Sequence, residues 1–195
     1  MRDGSLTKKR IERCALELFV QKGIDGTTIR DIAGAAKIAE GALYRHFKSK
    51  DELAQSLFVN SYAEFVTQAQ AVVRPQETLE KKLTGMVEYF CKRFDEDPIL
   101  FHYLLLSQYN QVAFLSQTDI NAHKVLLNLF EQAIQQSLLP KKDPALYVNV
   151  VLGIVLQSAM SRVYKRIHRP MMDDCKFLVQ AILNALNLAP PKKSK

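Results

Sequence analysis

Apolar residues recur at the spacing of an α-helix along almost the whole chain, and this periodicity is the strongest constraint on its fold. In the first such segment the apolar residues follow the i, i+3, i+4, i+7, i+8 pattern of an amphipathic helix: Ile11, Cys14, Ala15, Leu18 and Phe19. No segment of strand length alternates apolar and polar residues between turn signals. The sequence therefore predicts an all-α protein of about nine helices.

Residues that start or stop helices divide this pattern into elements. A glycine offers a left-handed stop, a Ser or Thr with an acidic residue three positions on forms a capping box, and Asp-Pro supplies a cap with proline at the first helical position. These signals are Gly23, Thr27 or Thr28 (with Asp31 completing a capping box if Thr28 is the cap), Ser49 with Glu52, Asp97-Pro98 and Asp143-Pro144. The long segment after Ser49 predicts a fourth helix that ends before Pro75.

Two short helical patterns follow each other between Thr28 and Phe47, joined by a turn at Lys37 and Ile38. This arrangement is typical of a helix-turn-helix, in which the second helix enters the major groove of DNA. Leu43 and Phe47 are expected to anchor that second helix to the core. The residues left to face outward include Glu40, Gly41 and Ala42, of which the two small ones let the backbone come close to bases. The side chains of Tyr44, His46 and Lys50 are suited to phosphate oxygens.

Charge supports this hypothesis only weakly. The formal charge is +7, but residues 1–53 carry eleven Lys and Arg against eight Asp and Glu, so the excess is not concentrated near the predicted helix-turn-helix.

The three cysteines lack metal-site spacing, and the first ten residues hold no apolar run. We therefore expect a cytoplasmic protein, associated with the nucleoid when bound to DNA. The uncharged run 145–161 is shorter than a membrane span and is predicted to be a buried helix.

The rest of the chain carries no catalytic signature. It has no Gly-rich phosphate loop, no local Ser, His and acid set, and no His spacing that suits a metal, so we expect neither an enzyme nor a bound cofactor or metal. Aromatic residues concentrate around the fifth to seventh helices, and polar residues on the eighth could complete a ligand site. The candidate ligand-binding residues are Phe90, Phe94, Tyr109, Gln157, Ser161 and Tyr164.

The last two helices are candidates for dimerisation. The eighth helix is apolar over more than one face, and the ninth has a broad apolar face with no later element to cover it. A two-fold patch would bury both. The candidate dimer residues are Phe177, Leu178, Ala181, Ile182 and Ala185.

Three segments resemble the TetR-like bacterial transcriptional regulators. They are Thr27 to Ala33, Gly41 to Phe47 and Ser49 to Leu53, so the resemblance covers roughly the first quarter of the chain. It implies a DNA-binding domain at 1–53 and a helical ligand-binding and dimerisation domain at 54–195. It also implies that Thr28 and Arg30 lie at the start of the helix that rests on the DNA backbone.

Three positions depart from the family pattern. Lys37 stands where a glycine is usual, at a turn that needs positive φ. Ala39 replaces the usual hydroxyl cap of the reading helix, and Ala42 replaces a frequent Thr or Ser. DNA binding is still expected, but these three positions leave the sequence of the operator unpredicted.

The resemblance implies a homodimer that binds a double-stranded DNA operator and is released from it by a small apolar or amphipathic molecule, most simply a repressor. The alternative is a helical small-molecule-binding or enzyme-like protein with a vestigial DNA-binding head. Phosphate-binding side chains kept together on exposed helix faces favour the first hypothesis.

Overall fold

The computed structural model describes residues 4–115 and 121–188, without the side chains between 108 and 115. This part of the chain forms nine α-helices and no strand, so the all-α prediction is confirmed. The helices are α1 Gly4–Lys22, α2 Ile29–Ala35, α3 Glu40–Tyr44, α4 Lys50–Val73, α5 Leu79–Glu96, α6 Pro98–Leu115, α7 Ala122–Gln135, α8 Pro144–Val163 and α9 Cys175–Ala185. A 3-10 turn, Met172–Asp174, precedes α9.

The chain forms two compact units. The first contains the residues up to Tyr62 together with α6 from Ile99 onward. Its core is the inward stripe of α1 packed with α2, α3 and the start of α4, and the buried side chains include Ile11, Phe19, Ile32, Leu43, Leu53 and Phe58. Tyr103 of α6 joins this core, because its hydroxyl donates a 2.7 Å hydrogen bond to the Ala54 carbonyl and its ring lies 6.0 Å from that of Phe19.

The second unit begins at Ala63 and contains the later turns of α4 with α5, α7, α8 and α9. Side-chain caps open three of these helices: Thr78 for α5, Asn121 for α7 and Asp143 for α8. Pro144 follows Asp143 at the first position of α8, as the sequence predicts. The core of this unit includes Leu83, Val87, Cys91, Leu126, Phe130, Val151 and Ile182.

Helix α8 is only partly buried in the single chain. By length and composition it is apolar enough to cross a membrane, and 22% of its apolar stretch is buried. This partial burial agrees with the expectation that its neighbours in one chain cannot cover it, and its full burial in a dimer stays a prediction. The buried residues lie on one stripe, from Tyr147 through Val151 to Ala159, and α8 packs against α7 and α9. Its opposite side, which includes Leu146 at 55% exposure, stays open.

Candidate nucleic-acid interface

Helix α2 begins at a capping box, as the sequence predicts. The Asp31 amide donates to the Thr28 hydroxyl oxygen at 3.1 Å, and the Thr28 amide donates to the Asp31 carboxylate at 2.9 Å. The bond from the Thr28 amide, followed by a 2.8 Å bond that the Thr28 hydroxyl donates to the same carboxylate, holds the pKa of the Asp31 carboxyl below its ordinary value. The cap fixes the position at which α2 starts and leaves Thr28 and Arg30 exposed beside it.

The turn between α2 and α3 has the geometry that its sequence implies. Lys37 adopts φ +53°, in the left-handed region. Its amide donates to the Gly34 carbonyl at 3.1 Å, and the Ile38 amide donates to the Ala33 carbonyl at 3.0 Å. Two hydrogen bonds thus hold a lysine in a conformation that glycine adopts more easily. The predicted positive φ is confirmed.

Helix α3 is short and is anchored by two apolar side chains. Leu43 is fully buried and Phe47 is 3% exposed, as predicted. The chain enters α3 through Ala39, which has extended backbone angles and makes no side-chain cap bond. Glu40 and Gly41 are exposed, and Ala42 is half-buried. After Glu40, the open side of the helix therefore carries the small residues Gly41 and Ala42, so another backbone or a base can come close there.

The candidate phosphate-binding side chains follow on the same segment. Tyr44 is 53% exposed, while His46 and Lys50 are half-buried. Lys50 is the first residue of α4, where helix amides have no intrahelical partner. The Ser49 hydroxyl caps this helix, as predicted, because it accepts from the Glu52 amide at 3.0 Å. The Glu52 carboxylate accepts from the Lys48 amide rather than from the Ser49 amide, which would complete the capping box.

A further cation lies beside this segment, and local sequence gave no signal of it. Lys8 of α1 places its Nζ atom 5.6 Å from the centroid of the Phe47 ring. Gly4, one turn earlier, is close to His46, because a Cβ atom added to Gly4 would lie 3.9 Å from His46 Cε1. The first turns of α1 thus adjoin the end of α3. Only the tertiary fold brings these residues together.

The candidate ligand residues lie in different surroundings. Phe90 and Phe94 stack on each other with ring centroids 6.4 Å apart, and Phe94 is buried. Gln157 of α8 and Tyr164, which follows the helix, are exposed. The Ser161 hydroxyl donates to the Gln157 carbonyl. The side chain of Tyr109 lies outside the described residues. The structure therefore brings the two phenylalanines together and turns Gln157 and Tyr164 toward solvent.

A small cavity in the second unit is lined by none of the candidate side chains that the structure describes. Its volume is about 40 Å³, which holds roughly one water molecule. It lies between the start of α5 and the end of α7, and its lining is Glu77, Leu79, Lys82, Leu129, Gln132, Ala133, Gln136 and Leu138. A drug-sized ligand occupies several hundred Å³ or more. This cavity could accept such a ligand only after the helices around it move apart.

The candidate dimer residues of α9 fall on two sides of the helix. Leu178 and Ile182 are 5% and 1% exposed, so both belong to the core of the protomer. Phe177 is 73% exposed, Ala185 is exposed, and Ala181 is intermediate. The broad face expected from sequence is thus an inner stripe and an outer stripe. Phe177, Ala181 and Ala185 are the residues available to a second chain.

Comparisons with known proteins point to one family. Residues 13–57 match the model of the family described as bacterial regulatory proteins, tetR family. The HTH-type transcriptional repressor KstR2 of Mycolicibacterium smegmatis is 33% identical over 72 residues, which cover 37% of this chain and 35% of that protein. The chain spans about a third of the length of the first known relatives that it matches. The resemblance to TetR-like regulators is confirmed.

Solved structures share the fold over nearly the full chain. The fatty acid degradation regulator FadR from Bacillus halodurans superposes with a TM-score of 0.76 at 21% identity and covers 93% of this chain and 97% of that one. FadR from Bacillus subtilis in complex with stearoyl-CoA superposes with a TM-score of 0.77 at 17% identity and covers 89% and 96%. At these identities the likeness concerns the fold.

Proposed function

We propose that this TetR-like chain is a ligand-responsive, DNA-binding transcriptional regulator that represses its target genes. The observation that supports this most is a helix-turn-helix whose small side chains and candidate phosphate-binding side chains all lie at exposed or half-exposed positions. In this proposal Glu40, Gly41 and Ala42 face base edges in the major groove. Since the relatives are named as regulators, no catalytic role is proposed.

Contacts to the DNA backbone set the position of the reading helix. Thr28 and Arg30 meet one strand at the start of α2, while Tyr44, His46 and Lys50 meet phosphate oxygens near the end of α3. Hydroxyl, imidazole and ammonium groups all donate hydrogen bonds, and a phosphate oxygen accepts them. Because Leu43 and Phe47 are buried, α3 cannot turn away from the groove without breaking the core of the first unit.

The active form in this proposal is a homodimer that pairs α8 and α9 with their copies. The open side of α8 and the outer stripe of α9 together expose large apolar side chains, including Leu146 and Phe177. An exposed apolar surface of this kind costs free energy in water, and a self-complementary two-fold interface removes it. Two DNA-binding heads would then read half-sites about one helical turn apart.

The proposed effector is a small apolar or amphipathic molecule that binds in the second unit. Two observations support this chemistry: the unit is rich in aromatic side chains, and one structural relative, FadR from Bacillus subtilis, was solved in complex with stearoyl-CoA. To release the operator, the effector must bind the conformation that does not fit DNA more tightly. A shift from 99:1 to 1:99 requires about 5.5 kcal/mol of differential affinity.

A selection experiment tests DNA recognition directly. The purified chain is mixed with a library of random duplexes, bound molecules are amplified, and the enriched sequences are determined. A two-fold symmetric consensus is expected. Lys50→Ala should weaken binding to the selected site and to random duplexes by a similar factor, because a phosphate contact carries no sequence information. A protein that enriches no sequence and shows no salt-dependent binding is not a DNA-binding regulator.

The effector hypothesis has its own test. Fatty acids, acyl thioesters and other hydrophobic compounds are screened for a rise in thermal unfolding temperature, and compounds that stabilise the protein are tested for release of the selected site. Release by at least one stabilising compound is expected. Compounds that stabilise the protein but never change its affinity for the site would contradict the ligand switch and leave DNA binding intact.

A further inference from the structure

Lys8 of α1 lies beside the proposed DNA contacts, although it comes from a different helix. Its Nζ atom is 5.6 Å from the Phe47 ring centroid, so the aliphatic stem can cover a ring that anchors the reading helix. Gly4 lies one turn away on the same side of α1 and adjoins His46. The ammonium group of Lys8 is therefore held at the edge of the surface that carries His46.

The charge of Lys8 is only loosely compensated within the chain. Its side chain is 45% exposed, and its carboxylate partner is Glu12, with Nζ and Oε1 3.9 Å apart. An exposed ion pair of that length contributes little to stability. The ammonium also lies within cation–π distance of the Phe47 ring. Since the side chain keeps much of its surface exposed, the ammonium stays available to a further anion.

We propose that Lys8 is a further phosphate-contacting residue, which extends the DNA interface from α3 and α4 onto the start of α1. The proposal rests on the DNA-binding function proposed above. The residue precedes the segment 13–57 that matches the family model. A DNA phosphate satisfies the ammonium group better than Glu12 does, because each phosphate bound also releases condensed counterions from the duplex.

The test compares Lys8→Met with Lys8→Arg on the full chain. Methionine keeps an apolar stem over Phe47 and removes the charge, whereas arginine keeps the charge. Affinity for a random-sequence duplex is measured by fluorescence anisotropy from about 50 to 200 mM salt. The slope of log affinity against log salt should become less negative by about 0.9 in Lys8→Met. Between about 50 and 200 mM salt, the loss of affinity of this variant should therefore be about 3.5-fold smaller than that of the wild type. Lys8→Arg should keep the original slope.

Lys81→Met is the matched control. Lys81 of α5 is 39% exposed and pairs with Glu77 at 3.7 Å, four residues away, as Lys8 pairs with Glu12. It lies in the second unit, and its loss should leave the slope unchanged. Thermal unfolding of each variant verifies that the fold is kept.

A second variant keeps the proposal testable if Lys8→Met unfolds. Glu12→Gln removes the internal competitor for the Lys8 ammonium and should tighten binding to the random duplex. Two results would overturn the role of Lys8: an unchanged salt slope in Lys8→Met, or an unchanged affinity in Glu12→Gln. If Lys50→Ala still makes the salt slope less negative, the proposed function stands. A wild-type chain without salt-dependent DNA binding overturns both.

Discussion

At the scale of single residues, the side chain of Lys37 places backbone strain in the turn between α2 and α3. Lys37 keeps φ +53° although it is not a glycine. A side chain in the left-handed region costs about 1 kcal/mol, and glycine avoids most of that cost while it loses some entropy on folding. We therefore expect Lys37→Gly to raise the free energy of unfolding by about 0.5–1 kcal/mol.

Urea denaturation followed by circular dichroism measures this change. Lys22→Gly is the control, because Lys22 lies in the last turn of α1, where glycine should lower stability by about 1 kcal/mol. If Lys37→Gly destabilises the protein as Lys22→Gly does, the turn holds lysine without strain.

An ion cluster on the second unit predicts how stability depends on pH. Asp174 accepts from Arg169 at 2.6 and 2.9 Å and from Arg162 at 2.7 Å. These bonds, first those from Arg169, lower the pKa of the Asp174 carboxyl. Since the pKa is lower in the folded state, the stabilisation is complete above the unfolded value, about 3.9, and is lost as the pH falls through the folded value.

Asp174→Asn should therefore lower the urea midpoint of unfolding at neutral pH. The difference in this midpoint between the variant and the wild type, called the gap below, should narrow below about pH 4. Urea titrations at several pH values measure the gap. The neighbouring Asp173 is exposed and supplies the control Asp173→Asn, with little expected change. A gap that stays constant down to low pH would assign the effect of Asp174 to packing.

Helix α3 begins without a side-chain cap. Ala39 has the extended backbone angles of an N-cap, φ −70° and ψ 147°, but offers no side-chain acceptor to the first amides. A serine at this position can accept a hydrogen bond from the second or third helical amide without a change of backbone. Ala39→Ser is expected to stabilise the protein by about 0.5–1 kcal/mol.

Chemical denaturation measures this gain, with Ala35→Ser in the last turn of α2 as the control. A hydroxyl at Ala35 has no free amide to cap and should bring no stabilisation. Equal stability of Ala39→Ser and the wild type would indicate that water already satisfies the first amides of α3.

For the molecule as a whole, an aspartate on the outer stripe of α9 should have a different effect from an aspartate on its inner stripe. Phe177→Asp places a charge on a side chain that is 73% exposed in one chain, so the chain should stay folded and the dimer should dissociate. Ile182→Asp buries a charge in the protomer and should prevent folding. Light scattering gives the mass, and circular dichroism gives the helix content.

Lys176→Asp is the control for Phe177→Asp, since Lys176 is an exposed polar neighbour on α9. A folded dimer of Phe177→Asp at the concentration at which the wild type is dimeric would contradict an interface at α9. The proposed DNA-binding surface of each chain would be unaffected by that result.

The sequence alone determined where most helices begin and which residues form the helix-turn-helix. Caps and stops act over three or four residues, so Thr28 with Asp31, the turn at Lys37 and the Asp143-Pro144 start could be read locally, and the structure confirms them. The anchors Leu43 and Phe47 follow from the helical period for the same reason.

Only the tertiary structure decided which surfaces meet. Tyr103 bonds to Ala54 across 49 residues, and Lys8 reaches Phe47 from another helix. Periodicity shows that a helix has an apolar face but not what covers it, so it could not separate Ile182 in the core from Phe177 outside. Burial is a property of neighbours, and neighbours distant in the chain are chosen by packing.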